Sequence, residues 1–157
     1  MRKILVMGIG NPILTDDRAG IEAVEEIKRR DIPVHTEILH TVGFEVMDKV
    51  LGYDRVYVVD ASKLGYDPGT ITSVMVEEIK STPVLAGTHA VTLETTLMAG
   101  YKLFPEEMPE FLQINLIEAD IVNEFSEKCT PSIQKSVLQV VDRIEREVAQ
   151  RAEACMS

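Results

Sequence analysis

Cysteine is scarce, long apolar runs are missing and cations are outnumbered, and each shortage removes a class of protein. Cys129 and Cys155 are the two cysteines, far apart and without C-x-x-C spacing. Neither a zinc knuckle nor a disulfide framework is suggested, and both read as reduced thiols without a chemical role. No stretch approaches the roughly 20 apolar residues that a bilayer span requires. Met1-Arg2-Lys3 carries positive charge, but the apolar run behind it stops at Gly8, too short for a signal-peptide core. The expectation is a cytoplasmic protein that does not engage a membrane. Lysine and arginine number 16 against 26 aspartates and glutamates, a formal charge of −10. Nucleic-acid binders need clustered cations, so no nucleic-acid partner is expected. G-x-S-x-G is absent and Cys129 has no candidate base beside it, which leaves a serine or cysteine nucleophile without support.

What is there suits one compact unit. The chain has 157 residues, 45% of them hydrophobic, enough to bury one core, and it shows no repeat, Gly/Ser linker or low-complexity segment. A single domain over 1–157 is expected, with a frayed tail at 151–157. Ile4-Leu5-Val6-Met7 is a continuous apolar run ended by glycine, as in a strand covered on both faces. From Arg18 to Arg30, Ile21, Val24 and Ile27 mark one face of an amphipathic helix, which Asp31-Ile32-Pro33 should end. Val34 to Leu39 reads as a second strand. Val46, Met47, Val50 and Leu51 fall at helical spacing ahead of Gly52, and Arg55 to Val59 is a β-branched and aromatic third strand.

This alternation of strand and helix builds a parallel sheet. The link from Ala61 to Gly69 is too short for a parallel crossover, so the next strand, Thr70 to Val76, should run antiparallel. A helix over Thr92 to Leu103, a fifth strand over Phe111 to Ile117 and a long helix opened by Thr130-Pro131 complete the chain. The fold class is α/β: a three-layer sandwich with a mixed, mostly parallel five-stranded sheet, one antiparallel strand and helices on both faces.

Chemistry is sought in the loops. Gly8-Ile9-Gly10-Asn11-Pro12-Ile13-Leu14-Thr15-Asp16-Asp17 joins the first strand to the first helix. A dinucleotide fingerprint would need glycine where Ile13 stands, and Asp16 and Asp17 would repel the phosphate. The aspartate pair reads either as a helix cap, worth about 0.3 to 1 kcal/mol, or as a cap plus a metal ligand or proton acceptor. Asp60 ends the third strand where open α/β sheets place their sites, at the crevice formed if strand one lies between strands two and three. A plain turn-forming aspartate is the equal alternative. His89 follows a stretch from Glu78 to Thr88 long enough to return to that crevice, whereas His35 and His40 read as structural or solvent-facing. Two carboxylates and an imidazole make an oxygen and nitrogen donor set suited to nickel, zinc or a similar divalent ion.

Gly8-x-Gly10-Asn11 with Asp16-Asp17, then Val58-Val59-Asp60-Ala61, then Thr88-His89 together resemble the nickel-iron hydrogenase maturation endopeptidases in order and spacing. The resemblance extends to Leu116-Ile117-Glu118 and Thr130-Pro131. It implies removal of a C-terminal extension from a hydrogenase large-subunit precursor after nickel insertion, by a cytoplasmic enzyme expected to be a monomer. The nickel would be carried by the precursor. Asp17, Asp60 and His89 would contact it as the catalytic and metal-touching residues, with Asp16 among the catalytic group as support for the same loop. The family often has glutamate at the place of Asp17 and glycine at that of Arg18, departures that bear on ligand geometry. The opening turn also resembles peptidyl-tRNA hydrolases, but the histidine-asparagine pair and basic face expected there are missing. A non-catalytic nickel chaperone or sensor using the same ligands is the other alternative.

Overall fold

The computed structural model describes residues 3–75, 77, 78 and 88–156, with the side chains of 88–92, 155 and 156 outside that description. Strand β1 (Ile4–Ile9) leads through a 3-10 turn (Thr15–Arg18) into helix α1 (Ala19–Arg29). Strand β2 (His35–Leu39), helix α2 (Phe44–Val50) and strand β3 (Arg55–Ser62) follow. Then come strand β4 (Ile71–Met75), helix α3 (Thr88–Leu103), strand β5 (Phe111–Glu118) and helix α4 (Pro131–Met156).

The strands form one five-stranded sheet in the order β2-β1-β3-β5-β4. β1 pairs in parallel with β2 and β3, and β3 with β5, while β4 runs antiparallel along β5. β1 therefore lies between β2 and β3, and the winding reverses at β1 and β3, which opens a crevice beyond their carboxyl ends.

Strand alternation sorts the side chains into two cores. Val6, Tyr57, Val59 and Ile117 meet α1 and α4 on one face, through Val24, Ile27, Ile133 and Val141 among others. Leu5, Met7, Ile9, Val56, Val58 and Leu116 meet α2 and α3 on the other, through Val46, Val50, Leu93 and Leu97. Each such side chain contributes about 1.5–3 kcal/mol by leaving water. Helix α4 is further tied down by Arg30, which pairs with Asp142 at 2.6 Å, and by Arg55, which pairs with Glu147 at 3.3 Å.

The first helix stops where the sequence leads one to expect, and two later boundaries differ from that expectation. α1 closes with Asp31 at φ 54°, its N–H reaching Lys28 O and the Ile32 N–H reaching Ile27 O. That is the glycine-type helix stop, built here on an aspartate. α3 begins at Thr88 rather than Thr92, because Leu93, Leu97 and Tyr101 fix the helix face but not its first turn. α4 continues to Met156 instead of fraying after Gln150. Arg151, Ala152 and Glu153 are good helix formers that extend the helix beyond Val148, the last buried side chain among the described residues. Val76, expected to end the fourth strand, and the connection 79–87 lie outside the described residues. Among the described residues no helix is long and apolar enough to cross a membrane.

Candidate functional site

The two aspartates at the crevice are brought together by close backbone packing. A Cβ on Gly10 would lie 2.1 Å from the Asp17 carbonyl, and one on Gly20 would lie 2.3 Å from Val59 O and 2.6 Å from Ile9 O. Only hydrogen at those positions lets the 3-10 turn and the start of α1 press against the ends of β1 and β3. The loop between closes on itself: the Asn11 N–H donates to Asp17 Oδ2 at 3.2 Å, and the Ile13 N–H to Asn11 Oδ1 at 3.1 Å. Arg18 is 9% exposed at its side chain, donates to Pro12 O at 3.0 Å and pairs with Glu25 at 2.8 Å. The arginine thus clamps the turn beneath Asp17.

Asp60 follows Val58 on β3, and alternation sends it to the face covered by α2 and α3. It is 1% exposed, and its Oδ1 accepts the Ala61 N–H at 2.8 Å. Burial pushes its carboxyl well above the ordinary aspartate range; the Ala61 bond pulls it back in part, and the negative charge of Asp17 raises it further. The two groups feel each other, and their surroundings favour a proton on Asp60 beside a half-buried Asp17.

Asp16, grouped by sequence with the reacting residues, is turned elsewhere. It is fully buried, and its Oδ2 accepts the N–H groups of Asp120 at 2.9 Å and Ile121 at 2.8 Å. Its Oδ1 accepts the Thr130 N–H at 2.7 Å, and the Thr130 hydroxyl lies 3.0 Å from both oxygens. A carboxylate enclosed by these donors is a positioning residue, fastening the turn that carries Asp17 to the segment between β5 and α4.

His89 lies in the first turn of α3, the helix that packs on the Asp60 side of the sheet; its side chain is outside the described residues. Among the described residues no three of His, Cys, Asp and Glu are grouped to hold a metal ion. His35 is exposed, edge-on to Tyr53 with ring centroids 5.5 Å apart, and pairs in register with Leu5 toward the amino end of the sheet. His40 is also exposed. Cys129 is buried, its thiol pushed far up first by desolvation and then by Glu22, a setting that keeps the sulfur protonated and inert.

Sequence reasoning missed the wall of the crevice. Glu118 is 3% exposed and stands opposite Ser62 in the β3–β5 register. Its carboxylate accepts the N–H groups of Leu64 at 2.9 Å and Gly65 at 3.2 Å and the Ser62 hydroxyl at 3.2 Å, shaping the loop that follows Asp60. The available signal was its place: it ends an apolar strand in the same way that Asp60 does.

The fold has counterparts in known proteins. The curated relatives include the hydrogenase expression/formation protein HupD of Bradyrhizobium diazoefficiens, 35% identical over 97 residues, covering 60% of this chain and 49% of the relative. The Escherichia coli hydrogenase 2 maturation protease is 38% identical over 82 residues, 49% of each chain. The chain spans about half the length of these relatives. Among solved structures, the E. coli hydrogenase maturating endopeptidase HybD superposes with a TM-score of 0.77 at 25% identity, covering 95% of this chain and 93% of its own. The HybD maturation protease of Thermococcus kodakarensis, at 18% identity and a TM-score of 0.72 over 93% of this chain and 99% of its own, shares the fold. The family description hydrogenase maturation protease matches residues 5–147, from β1 into α4, and the chain belongs to that family.

Proposed function

We propose that this chain is an endopeptidase that removes the C-terminal extension of a nickel-iron hydrogenase large-subunit precursor once nickel is in place, acting as a monomer in the cytoplasm. The nickel is cargo of the precursor. Asp17, Asp60 and His89 contact it, and Asp16 holds the turn from which Asp17 reaches out. The observation that supports this reading is the buried Asp60 at the end of β3, within electrostatic reach of Asp17, where the winding reverses between β1 and β3. α3, which begins at Thr88-His89, covers the face toward which Asp60 points.

The chemistry follows from the pair. In the free protein the burial of Asp60 disfavours its charge. A divalent ion arriving with the precursor favours the ionised form of both carboxylates, so engagement is strongest when nickel is present. Held there, the scissile peptide lies beside a carboxylate able to take a proton from the attacking water. Cleavage then reports metal loading. A second reading, in which the carboxylates run acid–base chemistry without touching nickel, is favoured by the unequal environments of Asp17 and Asp60.

Incubation with nickel-loaded and nickel-free precursor separates these readings. Shortening of the loaded form alone supports nickel recognition, and equal shortening of both supports the carboxylate pair. Shortening of neither removes the peptidase assignment and leaves a nickel-binding chaperone.

A further inference from the structure

We propose that Lys63 is a positioning residue for the reaction: through two peptide groups it acts on the buried Asp16 carboxylate and fixes the separation of Asp17 from Asp60. This deepens the peptidase reading and rests on it. Lys63 lies just past the end of β3, the strand that carries Asp60. Its ammonium donates to the Ala119 carbonyl at 3.1 Å and to the Asp120 carbonyl at 3.0 Å. Those carbonyls belong to the peptide groups whose N–H ends, on Asp120 and Ile121, donate to Asp16 Oδ2 at 2.9 and 2.8 Å.

In a trans peptide the C=O and the N–H point in opposite directions. Lys63 and Asp16 therefore stand on opposite sides of the same two peptides, a cation at the oxygen ends and an anion at the hydrogen ends. Charge at one end of an amide polarises the bond made at the other, so each contact strengthens its counterpart. Asp16 is fully buried, where a carboxylate is costly without compensation. Among the described residues no cation pairs with it directly; its partners are N–H groups and the Thr130 hydroxyl. Lys63 supplies the positive charge at one remove.

The tie spans the site. One end is the residue before Asp17, and the other follows the strand of Asp60. The 119–121 segment between them is a spacer whose width sets how far the Asp17 turn stands from the end of β3. Its register is pinned from β3 as well. The Ala119 N–H donates to Ser62 O at 3.0 Å, and the Glu118 carboxylate accepts the Leu64 and Gly65 N–H groups. Of these contacts only the Lys63 ammonium brings a positive charge to the far side of the peptides that Asp16 grips.

The test compares processing of nickel-loaded precursor by the parent, Lys63→Met, Lys63→Arg and Lys28→Met. Methionine keeps the reach of the side chain without its charge or donors, and arginine keeps both. Lys28 is exposed in the last turn of α1 and is the control for loss of one positive charge. A displacement of about 1 Å in a reacting group can cost up to about a hundredfold in rate. Lys63→Met should lower kcat about tenfold with KM within about twofold, while Lys63→Arg and Lys28→Met stay within about threefold of the parent. Parental kcat in Lys63→Met, or an equal fall in Lys63→Arg or Lys28→Met, overturns the proposal and leaves the peptidase reading intact. If the parent shortens no precursor, the peptidase reading fails, and urea unfolding decides whether the tie exists. Lys63→Met should lower the midpoint of the parent, and lower that of Asp16→Asn by less than about half as much, because the peptides there no longer face an anion. A larger fall in Asp16→Asn than that, or no fall in the parent, ends it.

Discussion

Replacing Asp16 by asparagine tests whether one buried carboxylate holds the proposed site together. In the parent it accepts the N–H groups of Asp120, Ile121 and Thr130 and the Thr130 hydroxyl, all at 2.7–3.0 Å. Hydrogen bonds to a charged acceptor contribute about 1.5–3 kcal/mol each, and a buried donor left without a partner costs about 1–3 kcal/mol. Asparagine keeps one acceptor oxygen and turns an NH2 toward the remaining N–H groups. It therefore loses either the Asp120 and Ile121 side or the Thr130 side. The expected destabilisation is about 3–5 kcal/mol, a large share of the 5–15 kcal/mol typical of a folded domain. With a urea slope near 2 kcal/mol/M, the unfolding midpoint should fall by roughly 2 M at constant slope. Thr130→Val should cost less alone and little more in the Asp16→Asn background, because the two share the same bonds. A midpoint shift below about 0.5 M would refute the reasoning, since the carboxylate would then not be what joins the 3-10 turn to the segment before α4.

Gly20→Ala should destabilise by about 1–3 kcal/mol or more, read as a lower melting temperature, because the methyl group meets the backbone of Val59 and Ile9 rather than a side chain that can swing away. Processing should fall with it as α1 lifts the Asp17 turn off β3; a variant as stable as the parent contradicts the packing. Asp60→Asn should change the pH dependence of stability in a defined direction. The folded carboxyl titrates above its ordinary value of 3.8, so its fit to the buried site is fully present below that pH and is lost as pH rises through the raised value. The uncharged variant escapes this loss, and its urea midpoint relative to the parent should climb from about pH 4 to neutrality; a constant or falling difference argues against the burial.

Much of the layered fold could be read from local patterns. Ile4 to Met7 and Val56 to Val59 are apolar runs suited to a sheet covered on both faces, and the short link after Asp60 forces β4 antiparallel. Asp60 was legible as a site candidate because a carboxylate at the end of such a strand must lie at the carboxyl edge of the sheet. The bonds that fix Asp16 and Glu118 were not legible, because their partners are remote. Asp16 bonds to residues 104 to 114 positions away, and Glu118 to residues 53 to 56 positions away. No period or spacing encodes such pairings. Asp16 and Asp17 look equivalent as neighbours in sequence, and only the tertiary fold sends one into the protein and leaves the other half-buried at the crevice.

The central claim is that Asp17 and Asp60 form the place where the precursor is cut, and intact mass measurement of the precursor's C-terminus tests it most directly. With nickel-loaded precursor, the parent should yield one shortened mass, while Asp17→Asn and Asp60→Asn, each folded by urea midpoint, should slow its appearance by about a hundredfold or more. The shortened mass arising at the parental rate with either variant would contradict the account.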